Sequence, residues 1–348
     1  MQSHTMQSHT INADLDPVIW DTFVGSRPDA TAYHLSAWNR LITLSFGHRS
    51  HNLAALDSCG AVQGVLPLVH MKSALFGNFL VSVPFVNYGG LLCASRQAEE
   101  ALLCEAERVR RICGARHVEL RHLGRGVAKL PTREHKVTMV LALASDAGAQ
   151  WSEFNPKLRN QIRKAEKSGL SFSVGGLELL DHFYQVFARN MRDLGTPVYA
   201  KNFFANVLEA LDTTRILAVN YQGETIAAGI VSWFQKTMEM PWASSISDYR
   251  ALCPNNLLYW EAIKFAIANG FKSFDFGRST PNEGTFNFKK QWGAVPVQLY
   301  WQYLLGEGMQ LPELHRKNPK FDLAIRSWQR MPLALSKLLG PVIVRNIP

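Results

Sequence analysis

The sequence predicts a mixed α/β chain built from two copies of one unit. Its length, a recurring strand–turn–strand pattern, and an acid-bearing strand that twice follows a glycine-stopped helix carry that prediction. At roughly 150 residues per domain, 348 residues suggest two domains. Hydrophobic residues make up 47% and charged residues 19%, the balance of a chain with real cores to bury rather than a disordered one. In the second half, Arg215–Asn220, the turn Gln222-Gly223-Glu224 and Thr225–Val231 read as strand, turn, strand. Leu53–Leu56, Ser58-Cys59-Gly60 and Val62–Val69 read the same way in the first half. Gly114 precedes Val118-Glu119-Leu120 at the spacing at which Gly270 precedes Phe274-Asp275-Phe276. The glycines fit helix C-caps, and an acid between two apolar residues fits a strand. The expected organisation is a flexible N-terminus over 1–14, a first domain over 15–150, a second over 151–310, and a basic amphipathic tail over 311–348.

Within the second unit, Asp181–Asn190 and Lys201–Leu211 read as helices, followed by strands near 215, 225 and 237. Pro254-Asn255-Asn256 opens a helix whose apolar residues Tyr259, Ile263, Ala266 and Ile267 recur at helical spacing. Antiparallel strands, a helix, then a strand is the order of the acyltransferase fold used by N-acetyltransferases. By analogy at fold level, the expected class is α/β (α+β), two tandem GNAT-like domains, each a mixed, largely antiparallel sheet flanked by helices.

The formal charge is +9, and two short segments hold the excess. Residues 316–348 carry Arg316, Lys317, Lys320, Arg326, Arg330, Lys337 and Arg345 against Asp322 alone. Residues 157–167 carry Lys157, Arg159, Arg163, Lys164 and Lys167 against Glu166. Each reads either as a solvated helix face or as a contact for an anionic ligand, tRNA or an anionic membrane. Cys59, Cys93, Cys104, Cys113 and Cys253 form no CxxC pair, so they read as reduced, mostly buried thiols, with no zinc site expected. Residues 1–10 lack the basic and apolar regions of a secretory signal, and no stretch has membrane-spanning length. The expectation is a cytoplasmic protein.

Phe274-Asp275-Phe276-Gly277-Arg278-Ser279-Thr280-Pro281 reads as a strand entering a polar loop, a place where ligands bind. Asp275 either caps that loop, pairs with Arg278, or takes part in chemistry. In Phe286–Ala294 the aromatic residues 286, 288 and 292 can bury one face while Lys289 or Lys290 projects, available to a phosphate or a developing oxyanion. Arg159, Arg163 and Lys167, at i, i+4 and i+8, repel one another by a few tenths of a kcal/mol per pair, and an anion would relieve that cost. Gly-x-Ser-x-Gly, HExxH and Walker patterns are absent from the sequence, so nothing supports a hydrolase, metalloprotease or NTPase.

Arg159–Glu166, Phe274–Ser279 and Phe288-Lys289-Lys290-Gln291-Trp292-Gly293 together resemble the FemAB family. His34–Trp38, Phe46-Gly47-His48 and Pro84–Gly90 resemble it too, over roughly residues 15–305, and more narrowly the branch associated with exosortase and PEP-CTERM systems in exopolysaccharide-producing bacteria. The resemblance implies tandem acetyltransferase-like domains. In its best-known members it implies transfer of an amino acid from aminoacyl-tRNA to a peptide amine of a cell-wall precursor. It places Lys289 or Lys290 near the acceptor and the transferred carbonyl, and Arg159 and Arg163 in an anion-contacting helix. The chain lacks the long charged helical hairpin of the wall-building members, which weakens tRNA as donor. The other donor, acyl-CoA, usually meets a glycine-rich loop before the central helix, where this chain has Arg250-Ala-Leu-Cys-Pro254-Asn255-Asn256.

The sequence-based function is an N-acyltransferase acting on an amine of an envelope or exopolysaccharide-related acceptor, with a non-catalytic polysaccharide- or partner-binding module as the competing class. Candidate catalytic residues are Lys289, Lys290 and Asp275. Candidate substrate contacts are Arg159, Arg163, Lys164, Gly277, Arg278, Ser279, Tyr259 and Trp242. No metal and no tightly bound cofactor are expected, and the donor is aminoacyl-tRNA or acyl-CoA. The partners are a lipid-linked saccharide or peptide precursor, tRNA, and an anionic inner-membrane surface met through residues 316–348, where Trp328 and a run of leucines accompany the basic residues. Packing of that tail on the protein's own body is the alternative.

Overall fold

The computed structural model describes residues 9–73, 76–127, 129–312 and 319–347. In chain order the first part holds β1 (Thr10–Asn12), α1 (Pro17–Ser26), α2 (Ser36–Phe46), β2 (Arg49–Leu56), β3 (Val62–Ser73), β4 (Gly77–Ser82), β5 (Leu92–Cys93), α3 (Arg96–Ile112), β6 (His117–Leu123) and β7 (Thr132–Ala142). There follow α4 (Ala147–Glu153), α5 (Pro156–Lys167), β8 (Ser171–Gly175), α6 (Leu180–Asp193), α7 (Lys201–Ala210), β9 (Thr214–Tyr221), β10 (Glu224–Phe234) and β11 (Thr237–Ser245). The chain ends with α8 (Pro254–Ala268), β12 (Ser273–Ser279), α9 (Gly284–Lys290), β13 (Val295–Leu305), α10 (Pro319–Gln329) and α11 (Leu333–Val344).

Two compact units result, one of residues 1–134, 298–312 and 346–348, the other of 135–297 and 313–345. The strand order within the first unit is β1-β2-β3-β4-β6-β13, and within the second β8-β9-β10-β11-β12-β7. Position by position the pairings agree. Every neighbouring pair is antiparallel except β4 with β6 and β11 with β12, which are parallel. The repeat expected from sequence is thus a repeat of topology. Gly60 and Gly223 hold the hairpin turns, and Gly114 and Gly270 the helix ends, all at positive φ, where a Cβ would be strained.

The boundaries differ from the sequence expectation because the last strand of each sheet is supplied out of order. β7 follows β6 in the chain yet pairs with β12, and β13 follows β12 yet pairs with β6. Residues 135–150 accordingly belong to the second unit. At the other end, the expected flexible 1–14 segment contains β1, whose Thr10–Asn12 pair with Leu56–Ala54.

In the first unit Leu53, Leu66, Leu68 and Leu80 of the sheet pack under Ala98, Leu102, Ala106 and Val109 of α3, a helix capped by Ser95. In the second, Met139, Leu141, Leu217, Met238, Phe274 and Phe276 meet Leu258, Ile263 and Ala266 of α8 and Leu158 and Ile162 of α5. Proline at the first turn and an Asn155 cap explain why α5 starts where it does. In each unit the two parallel strands pair over only three positions and then part. The last pairs are Ser82 with Leu120 and Glu239 with Asp275. Beyond them β11 continues with β10, and β12 with β7.

The C-terminal helices pack on the second unit. Trp328 and Ser336 are buried, Arg192 Nη1 donates to Met331 O at 3.2 Å, and the Lys337 ammonium lies over the Tyr184 ring at 5.6 Å. The outer face keeps Leu335, Leu338 and Val342 exposed, beside exposed Arg345. Arg316 and Lys317 lie outside the described residues. Among the described residues no helix is long and apolar enough to cross a membrane.

A Cβ on Gly340 would sit 2.8 Å from the backbone N and O of Val198, so α11 is seated by the absence of a side chain. Gly340→Ala should therefore lower the stability of the second unit by about 1–3 kcal/mol, read as a lower urea midpoint. An unchanged midpoint would mean that α11 is not held against Val198.

Candidate functional site

The site grows from the place where β11 and β12 part. Alternation along β12 sends Phe274 and Phe276 into the core and Asp275 to the other face, and Glu239, between Met238 and Met240, does the same on β11. Both acids are buried, at 2% and 6% exposure. A register shift between Asp275 and Arg278 makes a bulge in β12, with Gly277 at φ +77° supplying the conformation that a side chain would resist.

Two side chains clamp this bulge. Asp275 Oδ1 accepts the Gly277 N–H at 2.7 Å and the Thr138 hydroxyl. Lys289 Nζ, brought by α9, donates to Gly277 O at 2.8 Å and Arg278 O at 3.1 Å. Phe286 and Trp292, on either side of Lys289, are buried in the core, which is why α9 turns its lysine inward. Burial pushes the Lys289 ammonium down to about 8, against the upward pull of the Asp275 and Glu239 charges. At neutral pH it is still mostly protonated.

Beside α9 lies an open cleft of about 490 Å³ lined by Asn155, Lys157 and Gln161 of α5 and its cap, Asn256 of α8, and Gly284, Asn287, Phe288 and Gln291. Asn155 Nδ2 donates to Gln291 O at 3.2 Å and Asn256 Nδ2 to Gln161 Oε1 at 3.3 Å, so amides hold its walls. Such a surface offers donors and acceptors in quantity and one lysine. It suits a polar, anionic ligand better than an apolar one.

The predicted residues divide against this geometry. Asp275, Gly277, Arg278 and Lys289 come together at the bulge. Ser279 is next to it, buried, its hydroxyl without a hydrogen-bond partner among the described residues. Lys290 is exposed on α9. Tyr259 is buried in an aromatic wall, stacked on Phe276 at 5.3 Å and 5.3 Å from Phe288 of the cleft, and burial pushes its hydroxyl well above the ordinary range. Trp242 stands apart, edge-on to Phe203 and Phe204 at 5.6 and 5.4 Å. A bulge in β11 opposite Ile230 and Ser232 turns it toward α7.

On α5, Arg159 and Arg163 are not lining residues of the cleft. The Arg163 guanidinium instead covers the Trp151 ring at 5.3 Å. Lys164, exposed and three residues beyond Gln161 and seven beyond Lys157, shares the cleft-side face. The sequence reading missed Glu239 and left Lys157 out of the named substrate contacts. Glu239 could have been found from an acid between two apolar strand residues, the signal that revealed Asp275.

At the corresponding point of the first unit, Glu119 pairs with Arg121 at 2.7 Å and accepts the Tyr303 hydroxyl at 3.1 Å, all three buried. Arg121 also lies over the Trp301 ring at 4.4 Å.

Comparison with known proteins places the fold. Residues 152–290 match the acetyltransferase (GNAT) domain family. The crystal structure of FemX superposes with a TM-score of 0.65 at 15% identity, covering 85% of this chain and 97% of that one. A tandem GNAT protein from the clavulanic acid pathway gives 0.54 at 12%, over 87% and 99%. L-PGS from Bacillus licheniformis gives 0.55 at 14%, over 91% and 98%. The fold is tandem GNAT-like. A lipid II:glycine glycyltransferase of Staphylococcus haemolyticus (strain JCSC1435) is 29% identical over 90 residues, 24% of this chain. The match spans 22% of that curated relative's length.

With Lys289 at about 8 in the folded protein and 10.5 ordinarily, the unfolded chain holds more protons between those pH values. Folding stability therefore gains from this group as pH rises from about 8 to 10.5. Lys289→Met should remove that gain, read as the difference between wild-type and variant urea unfolding across the window. Parallel profiles for the two proteins would mean that Lys289 titrates as an exposed lysine.

Proposed function

We propose that the protein is a FemAB-like N-acyltransferase, transferring an acyl or aminoacyl group to an amine on an envelope or exopolysaccharide-related acceptor. The observation that carries this reading is the clamped bulge where β11 and β12 part, with a lysine of lowered pKa beside a polar cleft. The match of residues 152–290 to the GNAT family and the partial similarity to a glycyltransferase support acyl or aminoacyl transfer. In this reading the acceptor nitrogen attacks the carbonyl carbon of an activated ester or thioester, and a C–N bond forms. The C–O or C–S bond then breaks, and the amine proton passes to the departing oxygen or sulfur. The Lys289 charge steadies the developing oxyanion, while Asp275 and Gly277 keep the bulge in place to receive it. Lys157 and Lys164 bind the anionic part of a substrate in the cleft.

Between the two candidate donors, one detail of α8 counts against a backbone cradle for the pyrophosphate of CoA. Pro254 has no N–H, and those of Cys253 and Asn256 are already donated to Arg250 O and Cys253 O, leaving few amides for phosphate. Aminoacyl-tRNA is therefore the donor we favour. The outward apolar face of α11 beside Arg345 supports contact with an anionic membrane that carries a lipid-linked acceptor. The exosortase and PEP-CTERM association stays with this proposal as the setting in which the acceptor would be made.

Purified protein should move label from charged tRNAs, and not from acyl-CoAs, into an envelope-precursor extract. Lys289→Ala should lower that rate by about a hundredfold or more, and Lys157→Ala/Lys164→Ala should raise the KM for the substrate with little change in kcat. Label from acyl-CoA alone would reverse the donor assignment. A folded Lys289→Ala protein of full activity would remove Lys289 from the mechanism, and silence from both donors would favour the polysaccharide-binding module.

A further inference from the structure

We propose that His51, His70 and Cys113 of the first unit form a binding site for a zinc-class transition-metal ion. Among the described residues they are a cluster whose ligand atoms all lie within 4.8 Å of one another. The sequence shows no sign of it, because the three come from β2, β3 and the C-cap of α3. The fold brings them together in a simple way. Arg49 pairs with His70 and His51 with Leu68, so both histidines stand on the sheet face that Leu68 shares with α3. Cys113 ends α3 over that face.

The distances suit coordination. Cys113 Sγ is 3.8 Å from His51 Nε2. A tetrahedral ion with sulfur at about 2.3 Å and nitrogen at about 2.0–2.1 Å separates those ligand atoms by about 3.6 Å. The His51 and His70 rings are 6.4 Å apart, centre to centre.

A further feature is the support around the cluster. Asn78 Oδ1 meets His70 Nε2, and its Nδ2 donates to Cys113 O at 2.9 Å and Gly114 O at 3.0 Å. One amide thus fixes a histidine ring and the cysteine backbone together, the outer-shell arrangement that orients metal ligands. Leu68 and α3 screen one side, all three ligands are half-buried, and the α3 C-terminus directs the negative end of its dipole toward the cation. Arg49 also faces the site and weakens it by repulsion. The Cys113 thiol must lose its proton to solvent as the metal–sulfur bond forms. Three protein ligands leave a fourth position for water or a further group.

The test is titration of the full-length, reduced protein with Co²⁺ and then Zn²⁺. Expected are one equivalent bound, a thiolate-to-cobalt charge-transfer band displaced by Zn²⁺, and release of about one proton per ion, measured by calorimetry in buffers of different ionisation heat. Cys113→Ser and His51→Gln should abolish the band while leaving the metal-free melting temperature near wild type. Asn78→Ala should weaken binding by about ten- to a hundredfold. Cys59→Ser/Cys104→Ser, which removes the two exposed thiols, should leave the band unchanged. Absence of a band, or one that survives in Cys113→Ser, would overturn the proposal.

Discussion

The clamp on Gly277 is the interaction on which the rest of the second unit's site depends. Parallel strands that part leave backbone groups facing a gap instead of a neighbour, and unpaired buried groups are costly. Here the cost is met locally. Asp275 takes the N–H of Gly277 and Lys289 takes its carbonyl. Two buried acids on adjacent strands would repel each other strongly, so the lysine is also the counter-charge that lets Glu239 and Asp275 share the point of parting. Lys289 must then be buried, α9 must begin soon after β12, and its aromatic residues must anchor it in the core. The spacing of Phe286, Phe288, Lys289 and Trp292 follows from that requirement.

The first unit solves the same problem with different residues. Glu119 occupies the place of Asp275, but its counter-charge is Arg121 from the same strand, with Tyr303 supplying a hydroxyl. An arginine packed on Trp301 is always charged and fixed in orientation. The Lys289 ammonium is held instead by two backbone carbonyls, with burial pushing it down to about 8. The two units thus keep the acid and differ in the cation.

Much of the fold was legible because it is carried by local signals. Glycine stops at Gly114 and Gly270, the tight turns at Gly60 and Gly223, and the acid between apolar strand neighbours each leave a short-range mark, and the topology repeats where those marks repeat. The domain limits were not legible, since β7 and β13 are ordinary strands whose partners lie far along the chain. Trp242 lies apart from the bulge of β12 because an irregularity in β11 turns it toward α7, which no local pattern marks. The cysteines were read as mostly buried, yet Cys59 and Cys104 are exposed, one on a turn and one on the outer face of α3. Cys113 acquires its histidine neighbours only through the pairing of β2 with β3. Local pattern decides elements, and sites assembled across a sheet need its register.

The distribution of positive charge follows the same logic. On α5 the buried stripe of Leu158, Ile162 and Ala165 divides the basic residues between faces. Lys157 lines the cleft and Lys164 shares its face of the helix, while Arg163 is taken up by Trp151. An anion bound here meets flexible ammonium groups and neutral amides, with no guanidinium fork among the cleft's lining residues. That favours a ligand held by charge and many weak polar contacts over one gripped at a single phosphate. The start of α8, short of available amides, points the same way. In the proposed function, recognition would rest on side chains along α5 rather than on a backbone loop, an arrangement that suits an extended polyanion better than a compact pyrophosphate.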